Sequence, residues 1–196
     1  MEDFSSFSFI FVGDTHGFVN DFLKQKEIIN AVNPDYVLSE QLQDFVLDSE
    51  EKYVLILKHK KISGMVKFEE VKDLLDLCHQ KGVKIIGMDI NNFGFDSQLQ
   101  SVVRGEKVAS KEDNERINMI MKKRQTHHLD VIKKYKVLTK KPVIILIGSW
   151  HLQENSFLMR SLNNYLVIYP SDVQGRMLLE PPKNKTRISY ELRIKR

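Results

Sequence analysis

Thiols are almost absent from this chain: one of its 196 residues is cysteine, Cys78. A lone thiol excludes an internal disulfide and any metal centre built on several thiolates. With Leu74, Leu75 and Leu77 beside it, Cys78 reads as a buried side chain in a reducing compartment. No apolar run approaches the ~18 residues of a membrane helix, so no membrane partner is expected. The first residues carry Glu2 and Asp3, and the apolar stretch 7–12 is too short for a secretion signal. A cytoplasmic protein is the expectation. Neither sign of charge dominates: 30 basic residues face 26 acidic ones, for a net charge of +4. The basic residues are dispersed and lack the clustering on one face that nucleic-acid binding requires, so no nucleic-acid partner is expected. Repeats and low-complexity tracts are also missing.

What remains is an ordinary globular composition, 42% hydrophobic and 29% charged, long enough for one domain over residues 1–196 with a real core. Short apolar runs at 7–12, 35–39, 83–88, 143–147 and 165–169 predict strands, most of them buried on both faces. Helical spacing separates them at 18–32, 68–80 and 111–138. Residues 41–62 read as mixed and mainly helical, and 91–105 as a long loop. The tail 187–195 alternates Ile188, Tyr190, Leu192 and Ile194 with polar residues, which predicts a half-exposed antiparallel edge strand. That strand can close the sheet within the chain or pair across the axis of a homodimer. The fold class is therefore α/β, a mainly parallel sheet flanked by helices with an antiparallel C-terminal edge.

Two segments share one pattern. Ser8-Phe9-Ile10-Phe11-Val12 runs into Gly13-Asp14-Thr15-His16, and Val143-Ile144-Ile145-Leu146-Ile147 runs into Gly148-Ser149-Trp150-His151. Each glycine is expected to let the chain turn off the strand end. Each histidine then projects from the carboxyl end of the sheet, where open α/β folds hold their ligands. Other strands end in Glu40 and Asp89, so one rim gathers Asp14, His16, Glu40, Asp89 and His151. Such a set, two imidazoles and up to three carboxylates, suits a divalent ion, Mn, Co, Zn or Fe. His59 reads as surface, His79 as a helix-end cation, and the adjacent His127 and His128 as facing solvent or a partner.

The order Gly-x-x-His, Pro34-Asp35-Tyr36-Val37-Leu38-Ser39-Glu40, Val83-Lys84-Ile85-Ile86-Gly87-Met88-Asp89, Glu115-Arg116-Ile117-Asn118-Met119, Gly-x-x-His resembles the TraB/TIKI and ChaN/erythromycin-esterase-like superfamily. The matching positions are Gly13, His16, Glu40, Arg116, Gly148 and His151; Asp14 stands where many members carry Glu. The resemblance implies an α/β fold with a polar site at the sheet rim. For several members it implies metal-dependent hydrolysis, including peptide cleavage, and for others haem binding. In that hydrolytic reading the metal or its water is held by His16, Glu40 and His151, and the substrate-facing chemistry falls to Asp14, Glu40 and Arg116, acting on a small molecule or peptide. A rim that binds haem, metal or a small anion without turnover is the alternative. The run Val12-Gly13-Asp14-Thr15-His16-Gly17 also looks like the opening motif of calcineurin-like metallophosphoesterases, but the Gly-Asn-His-Glu those enzymes need occurs nowhere.

Overall fold

The elements follow from where the apolar runs break. In a computed structural model describing residues 3–15, 19–65, 67–180 and 188–196, the chain begins with β1 (Phe9–Asp14) and α1 (Val19–Val32). β2 (Tyr36–Ser39), β3 (Val46–Leu47), α2 (Glu50–Lys58), α3 (Lys60–Ser63), α4 (Phe68–Gln80) and β4 (Lys84–Gly87) come next. The second half holds α5 (Ser97–Val103), α6 (Lys111–Lys136), β5 (Val143–Gly148), α7 (Phe157–Ser161), β6 (Tyr165–Ser171) and β7 (Ser189–Lys195).

Among the described residues, seven strands form one sheet in the order β3-β4-β2-β5-β1-β6-β7. The inner pairs are parallel, and the outer strands β3 and β7 run antiparallel to their neighbours. β1 and β2 follow one another in sequence yet do not touch, because β5 lies between them. Every residue of β1 and of β5 is buried, as expected of strands covered on both faces. Alternation divides their side chains. Ile10, Val12, Ile144 and Leu146 join one core with Phe22, Ile29, Leu74 and Leu75. Phe9, Phe11, Ile145 and Ile147 join the other with Leu129, Ile132 and Met159. Thus α1 and α4 cover one face, and α6 and α7 the other.

Three expectations change. The 91–105 segment is not a plain loop: it contains a 3-10 turn at Asn91–Gly94 and the helix α5, capped by the Asp96 carboxylate on the Leu99 N–H. Residues 41–62 include β3 as well as helices. The strand expected at 165–169 extends through Pro170 to Ser171 beside β7. The antiparallel edge strand is present as expected. Among the described residues no helix is long and apolar enough to cross a membrane.

Candidate functional site

The strands that lead into the two Gly-x-x-His segments lie side by side. β1 and β5 pair in parallel, with Gly13 beside Ile147 and Asp14 beside Gly148. Gly13 is not there to turn the chain, because it sits inside β1. A β-carbon on it would come 2.9 Å from Leu152 Cδ1 and 3.0 Å from Ser149 Oγ, so the turn after β5 packs directly on its backbone. Gly148 has an ordinary φ of −57° and works through its N–H, which donates to Glu40 Oε2 at 2.8 Å.

Backbone ladders fix the carboxylates. The Glu40 N–H donates to Leu146 O at 3.0 Å, extending the β2–β5 pairing by one residue. Beyond β4, Met88 N–H donates to Ser39 O and Asp89 N–H to Gln43 O. Glu40 and Asp89 are thereby held at the carboxyl ends of adjacent strands, both buried.

The rest of the centre comes from α6. Ser110 caps its first turn, accepting from the Asp113 N–H while the Asp113 carboxylate accepts back from Ser110. The helix docks on the sheet through Leu129 and Ile132. The same inner face carries Arg124 and His128, i and i+4, over the rim. Arg124 Nε lies 3.0 and 3.1 Å from the two Asp89 oxygens, and Nη2 reaches Asp89 Oδ2 and, at 2.8 Å, Glu40 Oε1. The Phe93 ring lies over this guanidinium with 4.9 Å between Cζ and its centroid. Asn92 and Phe93 hold it there from left-handed backbone, φ 53° and 54°, a conformation unfavourable for an aromatic residue.

Two imidazoles complete the cluster. His151 Nε2 is 3.3 Å from Glu40 Oε1, and the His128 and His151 rings meet edge to face at 5.3 Å. His128 is wholly buried, with Nε2 3.2 Å from Asp89 Oδ2. That approach is within ion-pair reach but off hydrogen-bond geometry, which leaves both ring nitrogens without a hydrogen-bond partner among the described residues. Glu40, Asp89 and His128 each offer a ligand atom within 4.8 Å of the others.

Electrostatics keep the acids ionised. Burial pushes the Glu40 carboxyl up, but contact with His151, the charge of both imidazoles and the Gly148 N–H outweigh it and hold the group well below the ordinary carboxylate range. Burial likewise raises Asp89, and His128 and Arg124 reverse the shift to a net lowering. Arg124 pays for its own burial through the same two carboxylates and stays firmly charged.

The expected residues fare differently. Glu40 and His151 meet, and Asp89 joins them. Asp14 is buried at the adjacent strand end and accepts from Gln41 Nε2 at 3.3 Å. His16 lies outside the described residues. Arg116 is not at the centre: it is half-exposed and pairs with Asp96 at 2.5 Å, and the arginine that reaches Glu40 is Arg124, two turns further along α6. His128, expected to face solvent or a partner, is the most enclosed ionisable group of the cluster. Both omissions had a visible signal, since polar residues interrupt the stripe Met121, Leu129, Ile132 on the inner face of an otherwise polar helix. A cavity of about 220 Å³ lined by Tyr53, His79 and Lys84 lies at the other end of the strands and takes no part in this centre.

A mainly parallel α/β sheet with a buried carboxylate, imidazole and guanidinium centre at its carboxyl rim defines the class. No family model and no curated protein matches the chain. Among solved structures, the type III effector HopBA1 shares the fold, with a TM-score of 0.51 and 16% identity over 82% of this chain and 75% of that one. ChaN of Campylobacter jejuni, in a structure describing cofacial heme binding, aligns over 83% of this chain and 80% of that one, with a TM-score of 0.49 and 15% identity. At these identities the likeness is one of fold.

Proposed function

We propose that the rim centre is a hydrolytic site that works with a divalent metal ion held by Glu40, Asp89 and His128. The observation that carries this reading is the buried His128 ring, whose two nitrogens lack hydrogen-bond partners among the described residues, beside two ionised carboxylates. A buried imidazole without partners loses free energy unless something else takes its lone pair. The donor set of one nitrogen and two oxygens fits Mn, Fe, Co or Zn. The charge fits as well, since two carboxylates outnumber the one guanidinium beside them. Such an ion supplies Lewis acidity towards a carbonyl or phosphoryl oxygen and acidifies water.

The protein's own groups divide the remaining work. Arg124 keeps the two acids apart and ionised, and its charge opposes an excess of cation at the rim. Glu40 is committed to Arg124, Gly148 and His151, so it orients rather than accepts a proton. Asp14, at the end of β1 on the far side of β5, is assigned the general-base role, and the substrate is a small molecule or peptide entering at the rim. A cytoplasmic setting is consistent with the single cysteine, which is buried.

A second reading has its own support. Arg124 already satisfies both carboxylates, which a cation would have to share. Without metal, the Glu40-oriented His151 imidazole is the general base and the centre still serves ester or amide hydrolysis.

Metal-stripped protein titrated with Mn²⁺ and with Zn²⁺ in a calorimeter separates the two. Stoichiometric binding, abolished by His128→Leu and by Glu40→Gln, is the expected result. Hydrolysis of an ester, amide and phosphoester panel should then need the ion and fall with Asp14→Asn at unchanged metal content. Absence of binding together with hydrolysis lost in His151→Ala would replace the first reading by the second. Absence of both sinks the hydrolase proposal.

A further inference from the structure

β7 is the last strand of the sheet, and among the described residues no strand covers its outer edge. An open edge presents unpaired backbone N–H and C=O groups, and folds usually blunt it with a short strand, a proline or a bulge. β7 has none of these: it is seven residues long, matches β6 residue for residue and contains no proline. Leu192 and Ile194 stand 48% and 45% exposed on one face. Tyr190, on that same face, is fastened inward by its hydroxyl, which donates to the Asp21 carboxylate.

We infer that β7 is a self-pairing edge: two copies of this chain join their β7 strands antiparallel about a twofold axis at Leu192, forming one continuous sheet. The register follows from parity and charge. A ladder forms only where residues turning their backbone groups outward meet residues doing the same, so the axis must pass through a residue rather than between two. An axis at Glu191 sets that carboxylate against its own copy, and an axis at Arg193 sets two guanidiniums together. An axis at Leu192 places Glu191 opposite the partner's Arg193, twice by symmetry, with Tyr190 opposite the partner's Ile194. Opposite charges directly across a ladder stabilise by roughly 0.2–1 kcal/mol per pair, and like charges oppose it.

Glu191 has no ion pair of its own among the described residues. Arg193 uses one nitrogen on Leu152 O, and another lies 3.8 Å from the exposed Glu154, so the guanidinium keeps donors for a second carboxylate. The Glu-Leu-Arg core of the strand is its own complement, and that singles out a second copy over an unrelated extended peptide.

The full chain is tested by sedimentation equilibrium and by cross-linking. Wild type should show a reversible dimer. E191R should weaken it about tenfold or more, since two attractive pairs become repulsive, and E191R/R193E should restore it. Leu192→Cys should give a disulfide-linked dimer under oxidation, because residues on the axis face each other at about 4.5–5.5 Å between Cα atoms, within disulfide reach. Glu191→Cys, displaced from the axis, should not; the native Cys78 is buried and silent. Circular dichroism of each variant confirms that the fold survives. A wild type that stays monomeric at its highest soluble concentration overturns the proposal, as does a dimer indifferent to E191R. Equal cross-linking at positions 191 and 192 overturns the register. A monomer that instead captures extended peptides of other sequence overturns the choice of a second copy.

Discussion

Arg124 Nη2 lies 2.8 Å from Glu40 Oε1, although the two residues are 84 positions apart in the chain. The same nitrogen also reaches Asp89, so one guanidinium ties the ends of β2 and β4 to α6. Removing it leaves two buried carboxylates facing each other. Arg124→Ala should cost about 3–5 kcal/mol, the loss seen when one partner of a buried ion pair is deleted. Arg124→Lys should recover only part, because an ammonium cannot span both acids with a planar fork.

The pH dependence of that loss has a definite sign. Glu40 and Asp89 are depressed below their ordinary values in the folded protein, so their contribution is complete above the unfolded carboxylate value, near pH 4, and is lost as pH falls through the folded values. Without Arg124 both carboxyls titrate higher. Urea unfolding at about pH 7 and about pH 4 should therefore show the gap between wild type and Arg124→Ala narrowing at the lower pH. A gap that stays constant would mean the acids are not held ionised by the guanidinium.

Asp21 behaves in the opposite way. Burial raises its carboxyl, the hydroxyls of Tyr190 and Thr15 and the Thr15 N–H pull it down, and the charge of Asp14 pushes it up, for a net rise. The folded state therefore binds this proton more tightly than the unfolded chain. Its favourable contribution is full below the ordinary carboxylate value and fades as pH climbs through the raised folded value. Asp21→Asn should flatten that slope when ΔG of unfolding is compared with wild type across the acidic range. Tyr190→Phe should cost about 1.5–3 kcal/mol, as a hydrogen bond to a charged group is lost, and should move the slope to higher pH.

Gly87 offers a steric test. A β-carbon there would come 2.2 Å from Gln43 O and 2.7 Å from Leu42 O, both backbone atoms that cannot step aside. Gly87→Ala should destabilise by about 1–3 kcal/mol or more through overpacking and should disturb Asp89, whose N–H donates to the same Gln43 carbonyl. Gly82→Ala is the control for steric crowding: nothing lies within 4 Å of a β-carbon there, and its cost should come only from the positive φ of 66°. Thermal melts of the two variants read the difference.

His128→Leu should separate stability from function. The imidazole is fully buried and forms no hydrogen bond among the described residues, so an apolar side chain of similar size should lower Tm only by what its ion-pair approach to Asp89 contributes, a modest fall. Metal binding and metal-dependent turnover should disappear in the same variant. A large fall in Tm would show that the ring satisfies a structural need instead.

Much of this arrangement was readable in the chain. The apolar runs located the inner strands, and the carboxylates at 40 and 89 follow those runs directly, because a parallel strand delivers its next residues to a common rim. The periodicity of 68–80 gave both ends of α4, Phe68 and Gln80. The helix partners were not readable with the same ease. Arg124 and His128 belong to a helix with eight lysines and arginines, where polar residues ordinarily mean solvent, and only docking through Leu129 and Ile132 turns them inward. Arg116 matched the family pattern in sequence, yet Asp96 holds it on the helix α5 side. Gly13 was placed correctly for the wrong reason, since it admits Leu152 and Ser149 rather than a turn.

The position of β5 between β1 and β2 has a consequence for how the molecule comes into being. As the chain is synthesised from its amino end, the first 142 residues hold the β3-β4-β2 group and a lone β1, unjoined. Their facing edges, rich in isoleucine, valine and phenylalanine, stay open until Val143–Gly148 emerges and slots between them. A nascent or truncated chain that stops short of this strand should be sticky and short-lived, and would be a natural client for chaperones.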